Sequence, residues 1–226
     1  KEELEEEPHY FYVDEKMLRT PIIAVPQVKL EIEHMASIAM RNFDIAIQTA
    51  INMDFSDKKE FQKNELQLNY LNRALVTYIV QLNNSTISEV DRRYLTSAIR
   101  SISDIERVGD YAENIVEYAA VLSAANEKFP ESTCLEFEQM KETITTLYNH
   151  VMKAYNEQDM ESLRLAKEVE EQVDDLTEYM EQKHIDRLTS GEYSATQYLE
   201  FASDSERIAD HLLNVARTIK DLQIEQ

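Results

Sequence analysis

The sequence predicts an all-α protein of six long helices, built from two copies of one three-helix unit. Three observations carry that prediction. The 226 residues contain only 2 Gly and 4 Pro, so the punctuation that tight turns between strands require is missing. Apolar residues recur at helical spacing from Val28 onward. A motif in the middle of the chain returns 100 residues later: Ser101–Val116 reads SISDIERVGDYAENIV and Phe201–Ala216 reads FASDSERIADHLLNVA. An internal repeat of this kind fixes architecture before any local detail does.

Taken in order, residues 1–27 read as an acidic and aromatic leader. Glu residues dominate as far as Glu7, Tyr10-Phe11-Tyr12 follows, then Pro21 and Pro26. An acidic run is solvated, whereas the aromatic cluster has to pack, so an extended arm or short helix lying on the body is expected. The first three-helix unit spans 28–130. Its first helix runs from Val28 to Met53, with Ile32, Met35, Phe43 and Ala46 turned inward. Ser56 or Asp57 can cap a second helix ending near Leu82. Ser88 with Asp91 opens a third that runs to Ala125. Pro130 marks the boundary. The second unit spans 131–226. It has a helix from Leu135 to Asn156, one from Met160 to Leu188 capped by Asp159 and stopped at Gly191, and one from Ala195 to Leu222. The middle helices match more weakly, Glu65–Leu71 beside Glu170–Leu176, at an offset of 105. The first helices show no convincing alignment.

With 23 basic against 44 acidic residues the net charge is −21. Phosphate neutralisation by Lys and Arg underlies nucleic-acid binding, and an anionic leaflet repels such a chain. Neither nucleic acid nor direct lipid contact is expected; cations and basic partners are. The single cysteine, Cys134, forms no internal disulfide and suits a reducing compartment. No apolar run approaches a membrane span. No nucleophile–base pair or phosphate-cradling glycine loop is visible.

On a helix, residues i and i+4 share a face. Glu106, Asp110 and Asn114 thus form one polar strip beside an apolar stripe that includes Ile105, Gly109 and Ala112. Asp104 lies off the strip and is expected to serve the helix surface. Glu206 and Asp210 repeat the pair. Glu170 and Asp174 on the fifth helix, and Glu65 on the second, supply facing carboxylates. Converging carboxylates are stable when water, Arg or Lys, a proton or a cation intervenes. Oxygen-only donors suit Mg, Ca, Mn and Fe. The plain alternative is a helix face of ion pairs, with Arg107 and Arg207 as counter-charges.

The two Asp-x-Glu-Arg-x-x-Asp helices, each followed by Asn114 or Asn214, resemble the signature helix of PhoU domains, and the Glu65 and Glu170 stretches resemble that family's second helix. Tyr12–Pro21 with Gln27 is similar to the segment that joins the membrane part of bacterial sodium/phosphate cotransporters to a C-terminal PhoU domain. The resemblance implies two three-helix bundles related by a pseudo-twofold axis and a non-enzymatic regulatory role in phosphate uptake. It implies a transporter membrane domain as partner in cis or in trans, with homodimerisation also admitted. It places the chain at the cytoplasmic face of the inner membrane, as part of a longer protein. Carried over, the metal ligands are Glu65, Glu106 and Asp110 in the first unit and Glu170, Asp174, Glu206 and Asp210 in the second, holding iron or another hard metal. Asn69 stands where Asp174 does, so the first site is expected to be weaker.

Two other readings compete. A metal-free helical adaptor needs no ligands. A ferritin-like carboxylate protein needs two Glu-x-x-His pairs, and the chain offers Glu31/His34 and Glu181/His184.

Overall fold

In the computed structural model, residues 6–223 are described; the acidic opening at 1–5 and the last three positions of the second unit lie outside them. Six α-helices follow one another: α1 Pro21–Asn52, α2 Lys58–Asn83, α3 Glu89–Ala124, α4 Glu131–Glu157, α5 Met160–Thr189 and α6 Thr196–Arg217. Short 3-10 helices precede and follow them at Glu15–Arg19 and Thr218–Leu222. Ser88 accepts from the Asp91 N–H at 3.0 Å and Asp159 from the Glu161 N–H at 3.1 Å, as their sequence positions foretold. Asp57 sits at the start of α2, but its side chain makes no capping bond. Gly191, at φ +80°, lets the Glu192 N–H turn back to the Arg187 carbonyl at 2.8 Å and closes α5.

The leader is shorter than expected and α1 longer. Pro21 begins the helix, where its missing N–H costs nothing. Pro26 sits inside it. Its ring removes the bond to the Ile22 carbonyl, but Ile22 and Pro26 lie on the solvent side, where water can serve that carbonyl. Residues His9–Asp14 do form an arm on the body, described below.

The two units share one register, and the first helices belong to it. At an offset of 105, every buried residue of α4 falls on a buried residue of α1. The helices end at Asn52 and Glu157. The next residues, Met53 and Gln158, are both left-handed, at φ 51° and 53°. Leu30-Glu-Ile-Glu-His-Met35 then stands over Leu135-Glu-Phe-Glu-Gln-Met140. This is the alignment the sequence reading missed. It was obscured because the offset drops to 100 in the third helices, the difference being absorbed between the second and third.

Contacts across the interface obey the same symmetry. Lys29 Nζ donates to the Asn156 carbonyl at 2.7 Å, and the equivalent Cys134 Sγ meets the Ile51 carbonyl at 3.8 Å. α1 and α4 therefore run antiparallel across a pseudo-twofold axis. α3 and α6 do likewise: Asn114 donates to Asp204 at 3.2 Å and Asn214 to Asp104 at 3.3 Å. These four helices form the centre, with α2 and α5 on the flanks. The core is continuous, running from Ile32, Met35 and Phe43 through Ile102 and Ile105 to Phe137 and Phe201. Each such fully buried side chain contributes about 1.5–3 kcal/mol.

Candidate functional site

The duplicated motif divides into two kinds of residue. Its first Asp and the Asn ten positions later face the other unit; its Glu and last Asp face the second helix of their own unit. Asp104 is therefore not a surface residue of α3, and Asn114 is not part of the carboxylate strip. Asp104 accepts from His211 Nδ1 at 2.8 Å as well as from Asn214. Asp204, 2% exposed, accepts from Asn114, from Arg207 at 3.2 Å and from the Tyr118 hydroxyl. The crossed Asp–Asn pairs lock the halves together. Helical periodicity alone did not reveal them, because their partners lie about a hundred residues away.

In the first unit the remaining carboxylates gather between α2 and α3. Glu65 is half-buried and accepts from Asn42 Nδ2 at 3.4 Å. Burial pushes its pKa up to about 7, and the charges of Glu113, Asp110 and Glu106 add to the rise. Burial also raises Glu106, Asp110 and Glu113, with like charges adding for Glu106 and Glu113. Gly109 permits this closeness: a Cβ there would stand 2.7 Å from Leu68 Cδ1 and 3.2 Å from Glu65 Oε1. Arg107 reaches Asp110 only at 3.6 Å and is largely exposed.

The second unit gathers its set between α5 and α6. Glu170 is raised to about 7 by burial, by hydrogen bonding with Asp210 and by the charges of Asp174 and Asp210; Arg217 opposes the rise. Burial raises Asp174 and Glu206, and neighbouring carboxylates reinforce it. Arg207, the expected counter-charge, turns instead to Asp204 and the face of Tyr111.

All seven residues picked from the sequence thus fall into two clusters. Glu113, missed in the reading, joins the first; it lies three residues beyond Asp110, where the same strip continues. The second unit has Leu213 at that place. Glu113 therefore makes up for Asn69, and the carboxylate count behind a weaker first site is level. The donor chemistry fits a hard cation. As they stand, however, no three His, Cys, Asp or Glu side chains among the described residues are arranged to hold one.

The two Glu-x-x-His pairs lie elsewhere. Glu31 is engaged by backbone N–H groups of Phe11 and Tyr12, and His34 packs on Phe11. His184 bonds Ser194 at 2.7 Å and stacks on Tyr198. They do not converge, and a ferritin-like centre has no frame here. No described helix is long and apolar enough to cross a membrane.

The chain is 25% identical over 203 residues to the phosphate-specific transport system accessory protein PhoU homolog 1 of Thermotoga maritima, covering 85% of this chain and 84% of that one. It is 23% identical over 205 residues to the homolog 1 of Methanothermobacter thermautotrophicus, covering 85% and 89%. Its fold matches the crystal structure of PhoU from Pseudomonas aeruginosa with a TM-score of 0.77 at 17% identity, over 91% of this chain and 98% of that one. The phosphate transport system regulatory protein PhoU from Streptococcus pneumoniae matches at 0.64 and 19%, over 88% and 98%. The PhoU domain model fits twice, at residues 32–119 and 137–219, once in each three-helix unit. The chain belongs to the PhoU domain family.

Proposed function

We propose that this protein is a non-enzymatic regulator of phosphate uptake that acts on a phosphate transporter at the cytoplasmic face of the membrane. In this reading its two carboxylate clusters take up hard metal ions. The observation that carries the metal reading is the pairing of Glu65 with Glu106, Asp110 and Glu113, and of Glu170 with Asp174, Glu206 and Asp210. Burial raises the carboxylate pKa values at both places, and neighbouring carboxylates add to the rise. These residues would hold the ion, and the ion would supply positive charge. Bare carboxylates repel phosphate, so phosphate could meet these sites only through such an ion. The names of the relatives support the regulatory reading.

The test is uptake of radiolabelled phosphate by cells of the native host. Deleting this chain should leave uptake high when external phosphate is plentiful. The wild-type chain should restore restraint, and a chain carrying both Glu65→Gln and Glu170→Gln should not. Unchanged uptake on deletion contradicts the regulatory reading. Full restoration by the double variant contradicts the metal reading alone and favours a metal-free adaptor.

A further inference from the structure

We propose that the groove between α4 and α5 docks an extended, aromatic-bearing segment of a partner protein, gripped by its main chain as the arm is gripped between α1 and α2. The inference rests on the internal symmetry of the fold and does not depend on the pathway the protein serves.

In the first unit the arm closes the groove. The fully buried Glu31 carboxylate accepts the Phe11 N–H at 2.9 Å and the Tyr12 N–H at 2.6 Å. Gln67 holds His9 on both sides, its Oε1 accepting from His9 N at 3.1 Å and its Nε2 donating to His9 O at 2.6 Å. Tyr10 packs against Tyr70, with ring centres 5.5 Å apart, and Phe11 against His34 at 4.2 Å. One carboxylate and one amide thus address backbone, while aromatic side chains fill the space beside them.

The 105-residue shift carries Glu31 to Glu136, Gln67 to Gln172 and His34 to Gln139. All three line a groove of about 670 Å³. No arm lies in it. Leu135 at its edge is 67% exposed and Tyr179 is 47% exposed. Glu136 is held in place by the Tyr198 hydroxyl at 2.5 Å and by Arg187 at 3.4 Å. A carboxylate has about four acceptor positions, so it can still take main-chain N–H groups. Gln172 has no hydrogen-bond partner among the described residues and is exposed. The carboxylate and amide are present twice, but they hold main chain only in the first unit.

The occupant follows from the same geometry. A carboxylate and a free amide select an extended main chain over a packed helix, whose own N–H groups are used. The chain's own arm is seated in the first groove, and a second copy would have to surrender the Glu31 and Gln67 bonds of its arm to donate it. A separate partner loses nothing comparable. Asp175 stands where Tyr70 does, and the chain as a whole is strongly acidic, so the segment carries Lys or Arg instead of the arm's Asp14 and Glu15.

The probe is a synthetic peptide of arm residues 8–17 with D14K and E15K and a photoreactive benzoylphenylalanine in place of Phe11, added to the full chain with its own arm intact. Saturable binding with crosslinks to α4 or α5 is expected. Gln172→Ala, an exposed change that leaves the thermal melt in place, should weaken binding at least about tenfold, the scale of losing a backbone-gripping amide; Gln67→Ala should not. Absence of saturable binding overturns the proposal, as does binding indifferent to Gln172→Ala. Crosslinks confined to α1 and α2 also overturn it, because they report exchange with the resident arm and favour a second copy as the donor.

Discussion

The first unit covers the groove between its first two helices with residues His9–Asp14, while the second leaves the equivalent groove open. The carboxylate clusters differ in a parallel way. The first draws its extra charge from Glu113; the second has Asp174 instead, with Arg217 close enough to relieve Glu170. One frame thus supports two chemistries. Duplication fixes where the side chains stand, and single substitutions decide what each half still needs from outside.

The crossed Asp–Asn lock sharpens the comparison most. Asp204 is buried with three partners, whereas Asp104 is partly exposed with two. Asp204→Ala should cost about 2–4 kcal/mol in urea unfolding, because it strands the Tyr118 hydroxyl and the Asn114 amide. Asp104→Ala should cost about 1 kcal/mol. Equal costs would break the asymmetry.

The grooves come next. Gln67→Ala should cost about 1–2 kcal/mol through the two bonds to His9, and it should expose the arm to proteolysis near Tyr12. Its counterpart, Gln172→Ala, should leave urea stability unchanged, because its amide holds nothing in the isolated chain.

A pH series distinguishes the clusters from ordinary surface charge. Glu65 and Glu170 titrate near 7 in the folded chain against 4.5 for a free side chain. The folded state therefore keeps protons that the unfolded state has released. Their stabilisation is full below about pH 4.5 and is lost as pH rises through 7. In chelated protein, each site should lose on the order of 1–2 kcal/mol between pH 5 and 7.5 after allowing for solvent screening. Glu65→Gln and Glu170→Gln should each remove its share.

A small net effect is expected at Gly109→Ala, which copies Ala209. Helix propensity gains about 1 kcal/mol, and the close approach to Leu68 Cδ1 and Glu65 Oε1 takes back a similar amount. A melt within a few degrees of wild type, with Glu65 titrating at a shifted pH, is the expected outcome.

Much of this was legible in the sequence, and the gaps have physical reasons. Composition and periodicity are local, and they gave six helices with ends within a few residues, apart from the start of α1 and the end of α6, where Thr218–Leu222 is a 3-10 helix. At the start of α1 the helix runs through Pro26, which the solvent side tolerates. Spacing on one helix also gave the seven carboxylates. It could not tell which polar residues of the strip meet the other unit, so Asp104 and Asn114 were misplaced. Glu31 looked like half of a metal motif until the arm was seen to donate its backbone to it. The relation of α1 to α4 was written in Leu-Glu-x-Glu-x-Met, but the change of offset in the third helices hid it.

The central functional claim is that the two carboxylate clusters are cation sites, and calorimetric titration of Mn(II) into metal-free protein at pH 7.5 tests it most directly. Saturable uptake with release of protons is predicted in the wild type. Comparable losses are predicted in Glu65→Gln and in Glu170→Gln, and no uptake when both are changed. Absence of saturable uptake, or uptake that survives the double change, would contradict the account.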